Sequence, residues 1–262
     1  ANWASESVDL IILATSTPSD LFGSAPMIQA KLQAKNALAF DLTAACSGFL
    51  FALITASQYL SSGKYKRALV IGSDQLSSYV DWKDRGSCIL FGDGAGAMAI
   101  EASNDQNNLF GFNLRTDGER GCFLNLNNKK LNGKVTDQIK FRKGEFSYIS
   151  MNGQEVYKFA VREVPIIIGD LLKKADFECT DIDWLILHQA NQRILDAVGE
   201  RLKIKKDKIL TNLNKYGNTS AATIPLVFDE FIRNKKIKKN DIILTSGFGA
   251  GLSWGAALLR WG

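Results

Sequence analysis

The sequence predicts an α/β fold built from two copies of one strand–helix–strand unit, and two observations carry that prediction. Short apolar runs rich in branched residues alternate along the chain with segments of helical character. Three blocks of the first half also recur, in order and at nearly constant spacing, in the second. "TDIDWLILHQANQ" (180–192) repeats "ESVDLIILATSTP" (6–18), with Asp183 over Asp9, 174 positions apart. "YGNTSAATIPLVFDEFIRN" repeats "AACSGFLFALITASQYLSS", with Asn218 over Cys46, 172 apart. "NDIILTSGFGAGLSWGAALL" (240–259) repeats "KRALVIGSD" and then "FGDGAGAMAI". Such matching marks an internal duplication, two βαβ-type halves packed about a pseudo-twofold axis.

The elements follow in order. "VDLIILAT" (8–15) reads as a buried strand and "APMIQAKLQAK" (25–35) as an amphipathic helix. A helix starting near Cys46 is stopped by Gly63, and "RALVIGSD" (67–74) is a second buried strand. Residues 89–102 read as strand–turn–strand, and the polar stretch 103–108 as a boundary. The halves are therefore placed at 1–105, carrying the cysteine, and 106–262, carrying the histidine and asparagine.

Composition narrows the function. The chain has 262 residues, 46% of them hydrophobic, enough for a large shared core. No apolar run reaches a membrane span's ~18–20 residues, the first residues show no basic region followed by a signal-type core, and nothing in the sequence resembles a transit peptide. The four cysteines lack CxxC spacing, which points away from zinc and from a disulfide framework and fits a reducing cytoplasm. A net charge of +5 is too small for nucleic-acid binding by itself. The excess sits in "RLKIKKDK" (201–208) and "RNKKIKK" (233–239), read as solvated faces or as docking for an acidic partner.

Three residues stand out chemically. Cys46 lies among small residues at a helix start, where unpaired backbone N–H groups and the helix dipole favour a thiolate. His188, the only histidine, follows the strand "DWLIL" at the edge where α/β sheets gather ligands. The duplication puts Asn218 at the helix start equivalent to that of Cys46, so the three residues converge. Each has a plainer reading, as small core residue, structural imidazole and helix cap. "GDGAG" (92–96) and "GFGAG" (247–251) lead into strands, so they fail the context of a nucleotide loop. Their glycines are expected to let backbones approach closely or to aim an N–H at a reacting oxygen.

"DLTAACSGF", "DRGSCILFGDGAGA", "DWLILHQANQRI", "YGNTSAATIP" and "GFGAGLSWG" together resemble the beta-ketoacyl-acyl-carrier-protein synthase III family, in order and over nearly the whole chain. The resemblance implies a thiolase-like, duplicated αβαβα five-layer fold and a cytoplasmic homodimer, or one in a plastid stroma if the source is eukaryotic. The implied reaction joins acetyl-CoA, or another short acyl-CoA, to malonyl-acyl carrier protein, giving acetoacetyl-acyl carrier protein and starting type II fatty acid synthesis. Acyl-CoA is then a substrate, and no permanent cofactor or metal is implied. By motif, Cys46 is the acylated nucleophile, His188 and Asn218 hold the malonyl thioester oxygen, and the main chains of Cys46 and Ala250 form the oxyanion hole. Phe248 packs beside the nucleophile. Arg85, Gly153 and Asn191 match the CoA and pantetheine channel; Lys158, Gln189 and Arg193 match the carrier-protein docking surface.

The chain departs from the family pattern in two places. The usual N-terminal segment, one central strand and part of the adenine grip, is not found ahead of residue 8, and the region 122–146 reads as an extended basic loop or hairpin. Around Leu21 and Phe22, where the family's dimer partner closes the acyl pocket, side-chain size sets primer length. Three other readings share some of these residues: a secondary-metabolism synthase using another acyl-CoA, an inactive truncated chain, and a papain-like hydrolase with its Cys, His and Asn.

Overall fold

In the computed structural model, which describes residues 1–103, 108–134, 136, 138 and 140–262, the chain forms five layers. The first sheet is built from β1 (Leu10–Ala14), β2 (Leu38–Leu42), β3 (Arg67–Gln75) and β4 (Asp93–Glu101), in the order β2-β1-β3-β4. The second contains β5 (Leu109–Thr116), then, after the short or hairpin strands β6 (Leu124–Asn125), β7 (Asn128–Lys134), β8 (Lys140–Phe146) and β9 (Ser150–Met151), the strands β10 (Trp184–Leu187), β11 (Ile209–Leu210), β12 (Ile242–Gly249) and β13 (Ser253–Arg260). Its order is β11-β10-β12-β13-β5. In each sheet three neighbouring strands run parallel, and a long antiparallel strand follows.

Alternation along the buried strands sorts the core into layers. Leu10, Ile12 and Ala14 face the middle layer, where α2 (Gly48–Ser61) and α6 (Thr223–Arg233) pack between the sheets. Ile11 and Leu13 face outward against Ala25 and Ala34, at the two ends of the α1 (Ala25–Leu32) segment. In the second sheet Ile186 and Ile243 join the middle core, whereas Leu185, Leu187 and Leu244 pack outward on α3 (Gly153–Ala175) and α4 (Gln192–Leu202). Both halves thus contribute to one central core. Full burial of each such side chain contributes roughly 1.5–3 kcal/mol.

Pairing registers test the duplication directly. Leu10 pairs with Ala68 and Trp184 with Ile243, offsets of 174 and 175. At the helix starts, however, the equivalents are the turns Ala45–Ser47 and Ser220–Ala222, each opened by a left-handed residue, Ala45 at φ 48° and Ser220 at φ 51°. Ala221, not Asn218, occupies the position equivalent to Cys46. Asn218 lies three residues earlier, in the loop after the short helix α5 (Leu213–Tyr216).

The strand–turn–strand expected at 89–102 is one strand, β4. Residues 90–92 are instead stitched to the other half: Asn218 N–H donates to Leu90 O at 2.9 Å and Gly92 N–H to Asn218 O at 2.8 Å. The extension at 122–146 contains the hairpin β7–β8, joined by seven register pairs from Asn128↔Phe146 to Lys134↔Lys140. The boundary stretch expected at 103–108 lies mostly outside the described residues; the chain passes from the first sheet to the second between Glu101 and Leu109.

Candidate active site

The C-terminal edges of both sheets open on a cavity of about 600 Å³ whose walls include Cys46, His188, Asn218 and Phe248. Cys46 sits in the turn that starts α2. Its buried backbone runs so close to β12 that a Cβ on Gly249 would stand 2.6 Å from the Cys46 nitrogen and 3.0 Å from that of Ser47. Only glycine permits this approach, which brings the strand leading to Ala250 beside the Cys46 N–H.

Burial pushes the Cys46 thiol up to about 12; a hydrogen bond with Ser220 pulls it down and the charge of Asp74 pushes it up further. The helix start does not yield a resting thiolate, because loss of water outweighs the favourable N–H groups. The Cys46 side chain therefore rests as a thiol.

His188 follows β10 directly, with its N–H on Ser246 O at 2.8 Å. It is 1% exposed, and burial lowers its pKa to about 3, so the imidazole is neutral across the physiological range. Phe248 meets it edge to face, ring centroids 5.3 Å apart. Nδ1 lies 2.7 Å from Thr223 Oγ1, which leaves Nε2 as the remaining ring nitrogen. Asn218 Oδ1 accepts from Ser220 N–H at 2.9 Å, so its amide N–H groups remain to donate. A neutral imidazole, an amide and a thiol, all three on buried residues, therefore share one cavity.

The sequence does not single out Asp74, yet it ties this site together. At the end of β3 its Oδ1 accepts from Ser16 N–H at 2.7 Å and from the Thr15 and Thr17 hydroxyls at 3.3 Å each, while Oδ2 accepts from Ala221 N–H at 3.1 Å. One buried carboxylate thus links three segments across both halves. Thr223 and Ser220 were equally silent in the sequence; the only signal available was their place in the "NTSAATIP" turn.

The remaining candidates divide. Gly153, at the start of α3, and Asn191, which caps α4 by accepting from Arg193 N–H at 2.9 Å, both line the cavity mouth. Arg193 lines it too and is exposed. Arg85 is exposed beside the mouth, where its neighbour Gly86 reaches the cavity wall. Lys158 is exposed on α3, paired with Glu155 at 2.7 Å.

Gln189 contradicts its expected place on a docking surface. It is fully buried, its amide donating to Leu187 O at 2.7 Å and accepting from the Thr211 hydroxyl at 2.7 Å and Asn212 N–H at 3.2 Å. It braces the His188 loop from behind. Several cations of the late basic runs are also engaged within the protein: Arg201 donates to Val161 O at 3.0 Å, Lys208 to Ile182 O at 2.6 Å, and Lys236 lies 5.0 Å from the Trp184 ring centre.

Comparison with known proteins places these features in a family. The family described as 3-Oxoacyl-[acyl-carrier-protein (ACP)] synthase III matches residues 40–118, and its C-terminal counterpart matches 172–261. A beta-ketoacyl-[acyl-carrier-protein] synthase III of Prochlorococcus marinus (strain MIT 9515) is 72% identical over 262 residues, all of this chain and 78% of that protein. One from Synechococcus sp. (strain WH7803) is 61% identical over 256 residues, 98% of this chain and 76% of that protein. The crystal structure of 3-oxoacyl-[acyl-carrier-protein] synthase III from Aquifex aeolicus VF5 superposes with a TM-score of 0.90 at 43% identity, covering 100% of this chain and 80% of that one.

Proposed function

Because the chain belongs to the 3-oxoacyl-acyl-carrier-protein synthase III family, we propose that Cys46, His188 and Asn218 carry out that family's condensation. The enzyme is an acyltransferase. It condenses acetyl-CoA, or another short acyl-CoA, with malonyl-acyl carrier protein to initiate type II fatty acid synthesis, and the acyl-CoA is a substrate rather than a resident cofactor.

In the first half-reaction the Cys46 thiol gives its proton to a base, and the thiolate attacks the acyl-CoA thioester carbonyl. The tetrahedral oxygen is held by the main-chain N–H groups of Cys46 and Ala250; loss of one such donor typically costs ~10²–10³ in rate. Collapse breaks the bond to the CoA sulfur, which leaves with the proton, and the acyl group stays on Cys46. Malonyl-acyl carrier protein then replaces CoA. Loss of CO2 leaves an enolate whose oxygen accepts from His188 Nε2–H and an Asn218 amide N–H. Its carbon attacks the Cys46 thioester carbonyl, and collapse breaks the bond to the Cys46 sulfur, which regains a proton from solvent as the 3-oxoacyl-acyl carrier protein leaves. Two neutral donors suit the decarboxylation, since they stabilise developing charge without binding the substrate carboxylate.

Arg193, with Gly153, Asn191 and Arg85 around it, marks the entrance used by the pantetheine arm, and Arg193 with Lys158 meets the acidic carrier protein. The enzyme works in the cytoplasm as a homodimer, the second subunit covering Phe22, which is 99% exposed in the single chain. Among the described residues no helix is long and apolar enough to cross a membrane.

The observation that carries the proposal is the convergence of a buried thiol, a neutral imidazole and a donor amide, from both halves, on one cavity. Asn218→Ala tests the division of roles. Acyl transfer to Cys46 is expected to keep its rate, while condensation falls ~10²–10³-fold. Equal loss of both half-reactions would refute the assignment.

A further inference from the structure

Ala250 lies in the turn between β12 and β13, which the Gly249↔Ser253 pair closes. With a glycine on either side, the peptide that carries the Ala250 N–H turns easily, so its aim has to be set from outside the turn. Two backbones do this. On one side the main chain of Cys46 and Ser47 lies against Gly249. On the other, the chain leaving β5 keeps its pairing: Leu252 N–H donates to Asp117 O at 3.0 Å, and Asp117 N–H to Leu252 O at 2.8 Å. The turn Gly118–Phe123 then brings Gly121 against Gly251, so close that a Cβ on Gly121 would stand 2.9 Å from the Gly251 oxygen. The segment bearing the Ala250 N–H is gripped from both sides.

The outer grip depends on one side chain. Asp117 Oδ1 accepts from Glu119 N–H at 3.1 Å and Arg120 N–H at 3.3 Å, capping the turn at its start. Oδ2 lies 3.2 Å from Arg120 Nε, and Arg120 reaches Glu163 on α3 at 3.6 Å. Ion pairs this exposed add little, so the two bonds to Oδ1 carry the restraint. Resting on the oxyanion-hole reading above, we propose that Asp117 is a positioning residue for the Ala250 N–H. By capping the Gly118–Phe123 turn it keeps Gly121 against Gly251, and this fixes the peptide plane that presents the donor to the tetrahedral oxygen formed at Cys46. Without the cap the turn moves off Gly251 and the Gly249–Ala250 peptide is free to rotate. The enolate donors stand on other segments, His188 after β10 and Asn218 after α5. The effect of Asp117 is therefore confined to the steps that build an oxyanion on the Cys46 thioester.

Two variants isolate the cap. Asp117→Ala removes both the cap and the ion pair, whereas Asp117→Asn removes the ion pair and keeps an accepting oxygen. In Asp117→Ala, hydrogen exchange read by mass spectrometry is expected to quicken roughly tenfold over Ala250–Leu252, where Leu252 N–H loses its hold on Asp117 O. Single-turnover acyl transfer to Cys46 at saturating acetyl-CoA is expected to slow by roughly 10–100-fold, the range of a displaced oxyanion donor, with the half-saturating concentration unchanged. CO2 release from malonyl-acyl carrier protein, which draws on His188 and Asn218, keeps its rate. Asp117→Asn stays close to the wild type in all three measurements. Unchanged exchange in Asp117→Ala, equal exchange in the two variants, or a parallel fall in acyl transfer and CO2 release overturns the proposal. Faster exchange with acyl transfer intact would overturn the reading of Ala250 as an oxyanion donor, and the proposal with it. Exchange needs no turnover, so it tells these two failures apart.

Discussion

Replacing Asp74 with asparagine changes one atom in the middle of the site and has a calculable cost. The carboxylate is 3% exposed and accepts four hydrogen bonds, from Ser16 N–H, Ala221 N–H and the hydroxyls of Thr15 and Thr17. An amide has one accepting oxygen. Placed toward Ser16 it keeps that bond but turns its own N–H groups on Ala221 N–H; placed toward Ala221 it does the same to Ser16. The threonine hydroxyls can rotate and accept, whereas a backbone N–H cannot. One charge-assisted bond, worth about 1.5–3 kcal/mol, is lost, and one buried donor is left unsatisfied at about 1–3 kcal/mol. The two figures overlap, so the expected destabilisation of Asp74→Asn is ~3 kcal/mol. Urea denaturation followed by circular dichroism would give this as a lower midpoint at unchanged slope. Because Ala221 N–H lies in the turn between Asn218 and Thr223, acyl transfer and condensation should both slow, by more than stability alone explains under native conditions. A loss below about 1 kcal/mol with both half-reactions intact would refute the view that this carboxylate holds the two halves in register.

Three further outcomes follow from the same geometry. In Gly72→Ala the new methyl group would collide with the Ala221 carbonyl, a backbone atom that cannot swing away; we expect a loss of ~3 kcal/mol in urea unfolding and a displaced Asn218 turn. His188 stays neutral in the folded protein down to about pH 3, whereas the unfolded chain binds its proton near 6.5. Its contribution to stability is therefore intact above 6.5 and is lost as pH falls toward 3, on the order of 2–3 kcal/mol by pH 4.5 at 1.36 kcal/mol per unit, a slope that thermal melts of His188→Gln should lack. Arg193→Glu should raise KM for malonyl-acyl carrier protein roughly tenfold at low salt and less at high salt in steady-state assays, a larger rise than the one it causes for acetyl-CoA.

Much of this was legible in the sequence. Strand and helix periodicity with a repeated block order gave the duplicated α/β plan, and Cys46 and the single histidine fell where such sheets collect ligands. The failures have physical causes. Asn218 was matched to Cys46 three residues out of step because the true marker, a left-handed residue ahead of each helix, is Ala45 in one half and Ser220 in the other, and neither side chain advertises that conformation. Gln189 reads as a surface residue beside His188, yet it is buried by Thr211 and Asn212, more than twenty residues away. The thiol of Cys46 shows the same limit. A helix start is visible locally and argues for a thiolate, but the burial that outweighs it is made by both halves of the fold and cannot be read from one segment.

The central claim is that Cys46 carries the acyl group, and intact-mass spectrometry of the purified chain after mixing with acetyl-CoA, beside a Cys46→Ala control, tests it most directly. The account predicts a gain of one acetyl group in the unmodified chain and none in the control. An acetyl group that persists in the Cys46→Ala protein would contradict it.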